Sequence, residues 1–177
     1  MPTGITMLET FRESFPGLTQ LLTALAYLFG MIAGTQAVLL FRRRQHDHSI
    51  TSAAIITSFL TCATFLYLPT AIDAGQETFF GSPTILSYSA GSAVSKEGQV
   101  VLDTVLQFVQ LVGLWAFIWG FALLKRAHAR VFEPALNGKA VTHIIGGIFC
   151  LNIVASLQLL AETFGLEQLL SYIIVPG

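Results

Sequence analysis

Charge is what this sequence has least of. Asp, Glu, Lys and Arg together make up 11% of its 177 residues, against roughly a quarter in soluble domains, so an ordinary water-soluble globule is excluded. Cysteine is scarce too. Cys62 and Cys150 each lie inside an apolar run with no Cys-x-x-Cys or Cys/His spacing, which speaks against a disulfide framework, a zinc site or a redox pair. Both read as small apolar packing residues. A formal net charge of −1 calls for no nucleic acid or acidic partner. There is no Gly-rich phosphate loop and no Ser/His/Asp or Cys/His set that could meet at one depth. His46-Asp47-His48 has a metal-like look, but three arginines beside it make it a poor host for a divalent cation. No catalytic, cofactor-binding or metal-ligating residue is expected, and the protein is not expected to be an enzyme.

What is present is apolar: 54% of the residues, with a mean hydropathy of +0.70. A bilayer is crossed by about 20 mostly apolar residues in a helix, because lipid offers backbone groups no other hydrogen-bond partner. Four stretches meet that length, at 18–41, 50–72, 102–124 and 142–164. The first is too long, and preceded by too much acid (Glu9, Glu13), for a cleaved signal peptide. The expectation is an all-α membrane protein with residues 1–177 as one membrane domain. Its four transmembrane helices form two antiparallel hairpins, joined by an outer loop at 73–101.

The basic residues set the orientation. Arg42, Arg43 and Arg44 fall between the first two spans, and Lys125, Arg126, Arg130 and Lys139 between the last two. The positive-inside rule places both clusters in the cytoplasm and both termini outside. The outer loop carries Phe79 and Phe80 before Pro83, as an interfacial aromatic pair or a patch for partner contact. Both ends are amphipathic. Leu8, Phe11 and Phe15 recur at helical spacing, as do Leu166, Leu169, Leu170, Ile173 and Ile174, and such segments lie on a membrane surface or on a neighbouring subunit.

Small residues mark the faces where helices meet. Gly30 and Gly34 form a GxxxG, with Ala26 one turn earlier. Gly113, Ala116 and Gly120 repeat the pattern on the third span, and Gly146, Gly147 and Cys150 on the fourth. Without a hydrophobic drive in lipid, such faces let backbones approach closely, within the chain or between copies in a homo-oligomer. Polar residues in the spans are few: Gln20, Thr23 and Gln36, Gln107 and Gln110, Asn152 and Ser156, Gln158 and Glu162. No ionisable group lies near mid-membrane, which argues against a transporter or pump. Pro69 bends or ends the second span near its outer end. Two short words recur at nearly equal separation, Leu39-Leu40-Phe41-Arg42 with Leu123-Leu124-Lys125-Arg126, and Glu77-Thr78-Phe79-Phe80-Gly81 with Glu162-Thr163-Phe164-Gly165. They suggest a duplicated two-span unit, giving two parallel hairpins.

Phe65-Leu66-Tyr67-Leu68-Pro69-Thr70, Thr78-Phe79-Phe80-Gly81-Ser82-Pro83, Gly138-Lys139-Ala140-Val141-Thr142-His143-Ile144-Ile145-Gly146-Gly147 and Asn152-Ile153-Val154 resemble the IcmC/DotE family. These are small inner-membrane proteins of type IVB (Dot/Icm) secretion systems, and the family includes TraQ of IncI-type conjugative plasmids. Length and four-span layout fit the resemblance over the whole chain, and the quoted words cover about a fifth of it. The resemblance implies a non-catalytic structural subunit of an apparatus that moves protein or DNA across the bacterial inner membrane, with other secretion-system subunits as partners. A filament-forming conjugative pilin is the alternative, since pilins are likewise small and apolar with a short basic turn between two helices.

Overall fold

In the computed structural model, residues 4–47, 50–81, 88–90, 96–128, 133–166 and 174–176 are described. The chain is helical almost throughout. Helix α1 (Gly4–Glu13) leads into α2 (Phe15–Arg44), which starts with a proline in its first turn and ends on three arginines that complement the carbonyl end of its dipole. Helices α3 (Ser52–Leu66) and α4 (Leu68–Phe80) follow, then α5 (Lys96–Ala127), α6 (Pro134–Leu151) and α7 (Ile153–Phe164). The strands β1 (Tyr88–Ala90) and β2 (Ile174–Pro176) pair antiparallel, with Ser89 opposite Val175.

Two helical stretches, Thr10–Arg44 and Gly98–Ala127, are long and apolar enough to cross a membrane by themselves. The other two expected spans are not straight. Helix α3 meets α4 at 99°, and α6 meets α7 at 96°, where continuous spans at 50–72 and 142–164 were expected. At 15 residues, α3 rises only about 22 Å, short of the roughly 30 Å hydrocarbon core. Each bent pair therefore crosses only as a broken span, or turns back on itself.

The two breaks have nearly the same backbone. Tyr67 holds φ −116°, ψ 42° and Asn152 holds φ −113°, ψ 58°. In each, the break residue's N–H donates back to the carbonyl four residues earlier, closing one helix: Tyr67 to Ala63 (3.0 Å) and Asn152 to Ile148 (3.2 Å). Its own carbonyl then accepts from the residue four later, opening the next: from Ala71 (2.9 Å) and from Ser156 (3.0 Å). The arms α4 and α7 both end on a glycine in the left-handed region, Gly81 at φ 69° and Gly165 at φ 68°, where a side chain would be strained. The repeated words thus sit on a repeated structure: a long helix, an antiparallel partner, a right-angle break and a glycine-capped arm.

A missing donor accounts for the first break, and a side-chain hydrogen bond bridges the second. Pro69, in the first turn of α4, has no N–H to offer the Phe65 carbonyl. No proline stands near Asn152. There the Ser156 hydroxyl donates across the break, with Phe149 O at 2.8 Å and Asn152 O at 2.9 Å, and so satisfies a carbonyl that the turn leaves open. The outer loop is correspondingly shorter than expected. Helix α4 runs on to Phe80 and α5 begins at Lys96, so much of 73–101 is helix. At the C-terminal end, α7 stops at Phe164, and Ile174 lies in a strand rather than on a helical face. Leu169, Leu170 and Ile173 lie outside the described residues.

The core forms where the two hairpins meet, around the breaks. Ala26 of α2, Phe65 of α3, Leu68 of α4, Leu114 and Phe117 of α5 and Leu151 of α6 are buried in one cluster. Outside it the usual polarity is inverted. Leu28, Phe29, Met31 and Ile32 on α2, and Val105, Phe108 and Trp115 on α5, are each about half exposed, as suits a surface that faces lipid rather than water. At the far end from the arginines, Arg12 pairs with Asp103 at 3.0 Å and ties α1 to α5.

Candidate functional site

The expected packing residues fall into two seams built alike. In the first, α2 lies on α3. A Cβ placed on Gly30 would fall 2.9 Å from Phe65 Cβ and 3.4 Å from Leu66 N, and one on Gly34 would fall 2.8 Å from Cys62 Sγ. Ala26, one turn earlier, is fully buried. In the second, α5 lies on α6. A Cβ on Gly113 would fall 2.8 Å from Cys150 Cβ and 2.9 Å from Leu151 N, and one on Gly120 would fall 2.9 Å from Ile144 N. Gly147 would meet Phe117 N at 2.7 Å. Phe65 and Leu66 stand immediately before Tyr67 as Cys150 and Leu151 stand before Asn152. Gly30 and Gly113 are therefore equivalent positions of the repeated unit.

Gly146 does not belong with these. Nothing lies within 4 Å of where its Cβ would be, because a helix turns about 100° per residue and Gly147 takes the face toward α5. Phe79 and Phe80 are also placed differently from a loop patch. They sit in the last turn of α4, with both rings edge-on to Phe149 at 5.4 Å, so they hold the first unit's arm against the second unit's α6. Gly75 joins that contact, its Cβ position lying 2.8 Å from Ile148 Cδ1. Pro83 and Arg130 lie outside the described residues.

The basic ends of α2 and α5 come together. Lys125 Nζ donates to Gln36 Oε1, and Arg43 and Lys125 line one pocket of about 330 Å³. Arg42, Arg44 and Arg126 are exposed around it, and Lys139 is exposed on α6. At the other end, Gln20, Gln107 and Gln110, scattered in sequence, line one pocket of about 490 Å³ between α2 and α5. Among the described residues no three His, Cys, Asp or Glu side chains cluster closely enough to hold a metal ion.

Two polar features escape a reading of the sequence. Thr57, Ser58 and Thr61 are buried on α3, and each hydroxyl donates to the carbonyl of the residue four earlier, at 2.7 to 2.8 Å, so the face is polar in composition and saturated in fact. Their spacing was the available signal. Gln76 of α4 is fully buried, and neither its Oε1 nor its Nε2 has a hydrogen-bond partner. It stands between Gly75 and Glu77 in a stretch that reads as loop, and nothing in the sequence marks it.

Together these features define a helical protein whose long apolar helices, inverted surface and glycine seams are those of a multi-pass membrane protein. No protein-family model, no characterised protein and no solved structure matches the chain.

Proposed function

We propose that the chain is a non-catalytic structural subunit of a bacterial inner-membrane apparatus of the type IVB secretion or conjugative-transfer class. One observation carries the reading. The words that resemble the IcmC/DotE family coincide with the parts that give the molecule its shape. Phe65-Leu66-Tyr67-Leu68-Pro69-Thr70 runs through the first break and Asn152-Ile153-Val154 through the second. Phe79-Phe80 holds the arm on α6, and Gly147 belongs to the second seam. A resemblance that falls on shape rather than on reactive groups suits a part that is assembled rather than one that turns over substrate.

In this reading each broken helix counts as one pass, giving four in all. The basic ends of α2 and α5 face the cytoplasm, and both termini are periplasmic. The lipid-facing sides of the two units supply contacts to further copies and to other subunits. The test is to shear cells that carry the system, separate extracellular filaments from inner membrane, and quantify the chain in each by mass spectrometry with cross-linking. Recovery in the inner membrane, cross-linked to other secretion-system proteins, is the expected outcome. Recovery as the main filament component would make it a pilin, and recovery in the membrane without such partners would end the assignment.

A further inference from the structure

Helices α2 and α5 run side by side without closing on one another, and a groove of about 440 Å³ opens between them. Phe29 and Ile32 form one wall, and Trp115 and Trp119 the other, their rings stacked at 6.1 Å and 10°. Phe65 of α3 lies at the floor. These wall residues are about half exposed, and their lining is almost wholly apolar until the groove reaches Gln36, Lys125 and Arg126. There it meets the pocket that holds Arg43, with Gln36 and Lys125 common to both.

We propose that this groove binds one acyl chain of an anionic phospholipid, whose phosphate is held by Lys125, Arg126 and Arg43. The size falls within the range of small-molecule sites, and the polarity changes along its length as a lipid's does. Charge complementarity selects the headgroup. Among the described residues none of the three cations has a carboxylate partner; the ion pair Arg12–Asp103 stands at the opposite end. Asp47 and Glu133, the acidic residues of the basic end, line neither pocket. A second copy is a poor occupant. Inserted in the same orientation, it brings the same arginines and lysines to the same depth, so it adds like charge where a counter-charge is needed. A helix, about 10 Å across with its side chains, would also lie on this groove rather than in it.

Trp115 and Trp119 are the only tryptophans in the chain, so fluorescence excited at the red edge, where tyrosine does not absorb, comes from this groove. The full-length protein is titrated in detergent with phosphatidylglycerol or phosphatidylcholine carrying the same brominated acyl chain. Phosphatidylglycerol is expected to quench at several-fold lower concentration. High salt should erase most of the difference, and inorganic phosphate should not compete. Lys125→Gln and Arg126→Gln should each weaken the phosphatidylglycerol response by about fivefold, the effect of one cation near an anionic surface, and weaken phosphatidylcholine less, because its own trimethylammonium offsets the phosphate charge. Circular dichroism verifies that the variants are folded, and the salt titration of the native chain needs no variant. Equal quenching by both lipids, a preference indifferent to salt, or quenching lost because a second copy cross-links across Trp115 would each overturn the assignment.

Discussion

Gly113 and Gly147 meet through their backbones: a Cβ on Gly113 would fall 2.9 Å from the Gly147 carbonyl oxygen, and one on Gly147 would fall 2.8 Å from the Gly113 carbonyl oxygen. No rotamer relieves such a contact, because the opposing atoms belong to the main chain. Gly113→Ala should therefore push α5 from α6 and destabilise the protein by about 1–3 kcal/mol, the usual effect of overpacking. Gly146→Ala, one position away in open space, should be neutral or stabilising by up to about 1 kcal/mol, since alanine is the better helix residue. Thermal unfolding in detergent compares the two, and equal losses would remove the seam as the cause.

The first seam has a softer neighbour. Gly34 faces the Cys62 thiol, whereas Gly30 faces Phe65 Cβ and the Leu66 backbone. Cys62→Ala should rescue Gly34→Ala and leave Gly30→Ala unrescued, with a coupling of about 0.5–3 kcal/mol in the first cycle. Additive losses for Gly34 and Cys62 would mean that their contact is not the source of the strain.

Ser156→Ala removes the hydroxyl that bridges the second break. The loss should be about 1 kcal/mol, with the angle between α6 and α7 loosened in spin-label distance measurements. Thr163→Ala is the comparison, because its hydroxyl bonds only to Leu159 within α7. A bend equally well defined in Ser156→Ala would leave the second break to packing alone.

A buried amide without partners is destabilising. Gln76→Leu keeps the volume and removes the unmet groups, so it should raise the stability of the isolated protein by about 1–2 kcal/mol. A drop in melting temperature instead would show that the Gln76 amide is bonded in the molecule as it exists in solution.

Orientation has its own test. In a chain with Cys62 and Cys150 replaced by alanine, a cysteine at Ser92 should react with an impermeant thiol reagent applied from outside intact spheroplasts. One at His46 should react only after the membrane is opened. The reverse pattern would invert the molecule.

How much of this could be read from the residues follows from which interactions are local. Long apolar runs mark α2 and α5 because crossing a bilayer demands length and little else. Pro69 announces a break because a missing N–H is a property of one residue. Asn152 announces nothing, since its break goes with Ser156 reaching the Phe149 carbonyl and with Phe79 and Phe80 pressing on the Phe149 ring from a distant part of the chain. Spacing finds Gly113, Gly120 and Gly147, but it cannot choose Gly147 over Gly146, because only the position of α5 decides which of two neighbours faces it. The polar stretch around Gln76 looks like loop for the same reason: its neighbours Gly75, Phe79 and Phe80 meet Ile148 and Phe149 of α6, which its own sequence does not announce.

The right-angle breaks also govern how much room the molecule takes in each leaflet. With α3 and α6 following α2 and α5 along the bilayer normal, the 99° and 96° breaks turn α4 and α7 toward its plane, on the side of the breaks away from Arg42, Arg43 and Arg44. Lying flat, the 13 residues of α4 cover about 20 Å by 10 Å, twice the footprint of an upright helix. A bent unit of this kind therefore takes more area on the side of its arms than a straight hairpin of the same number of residues would.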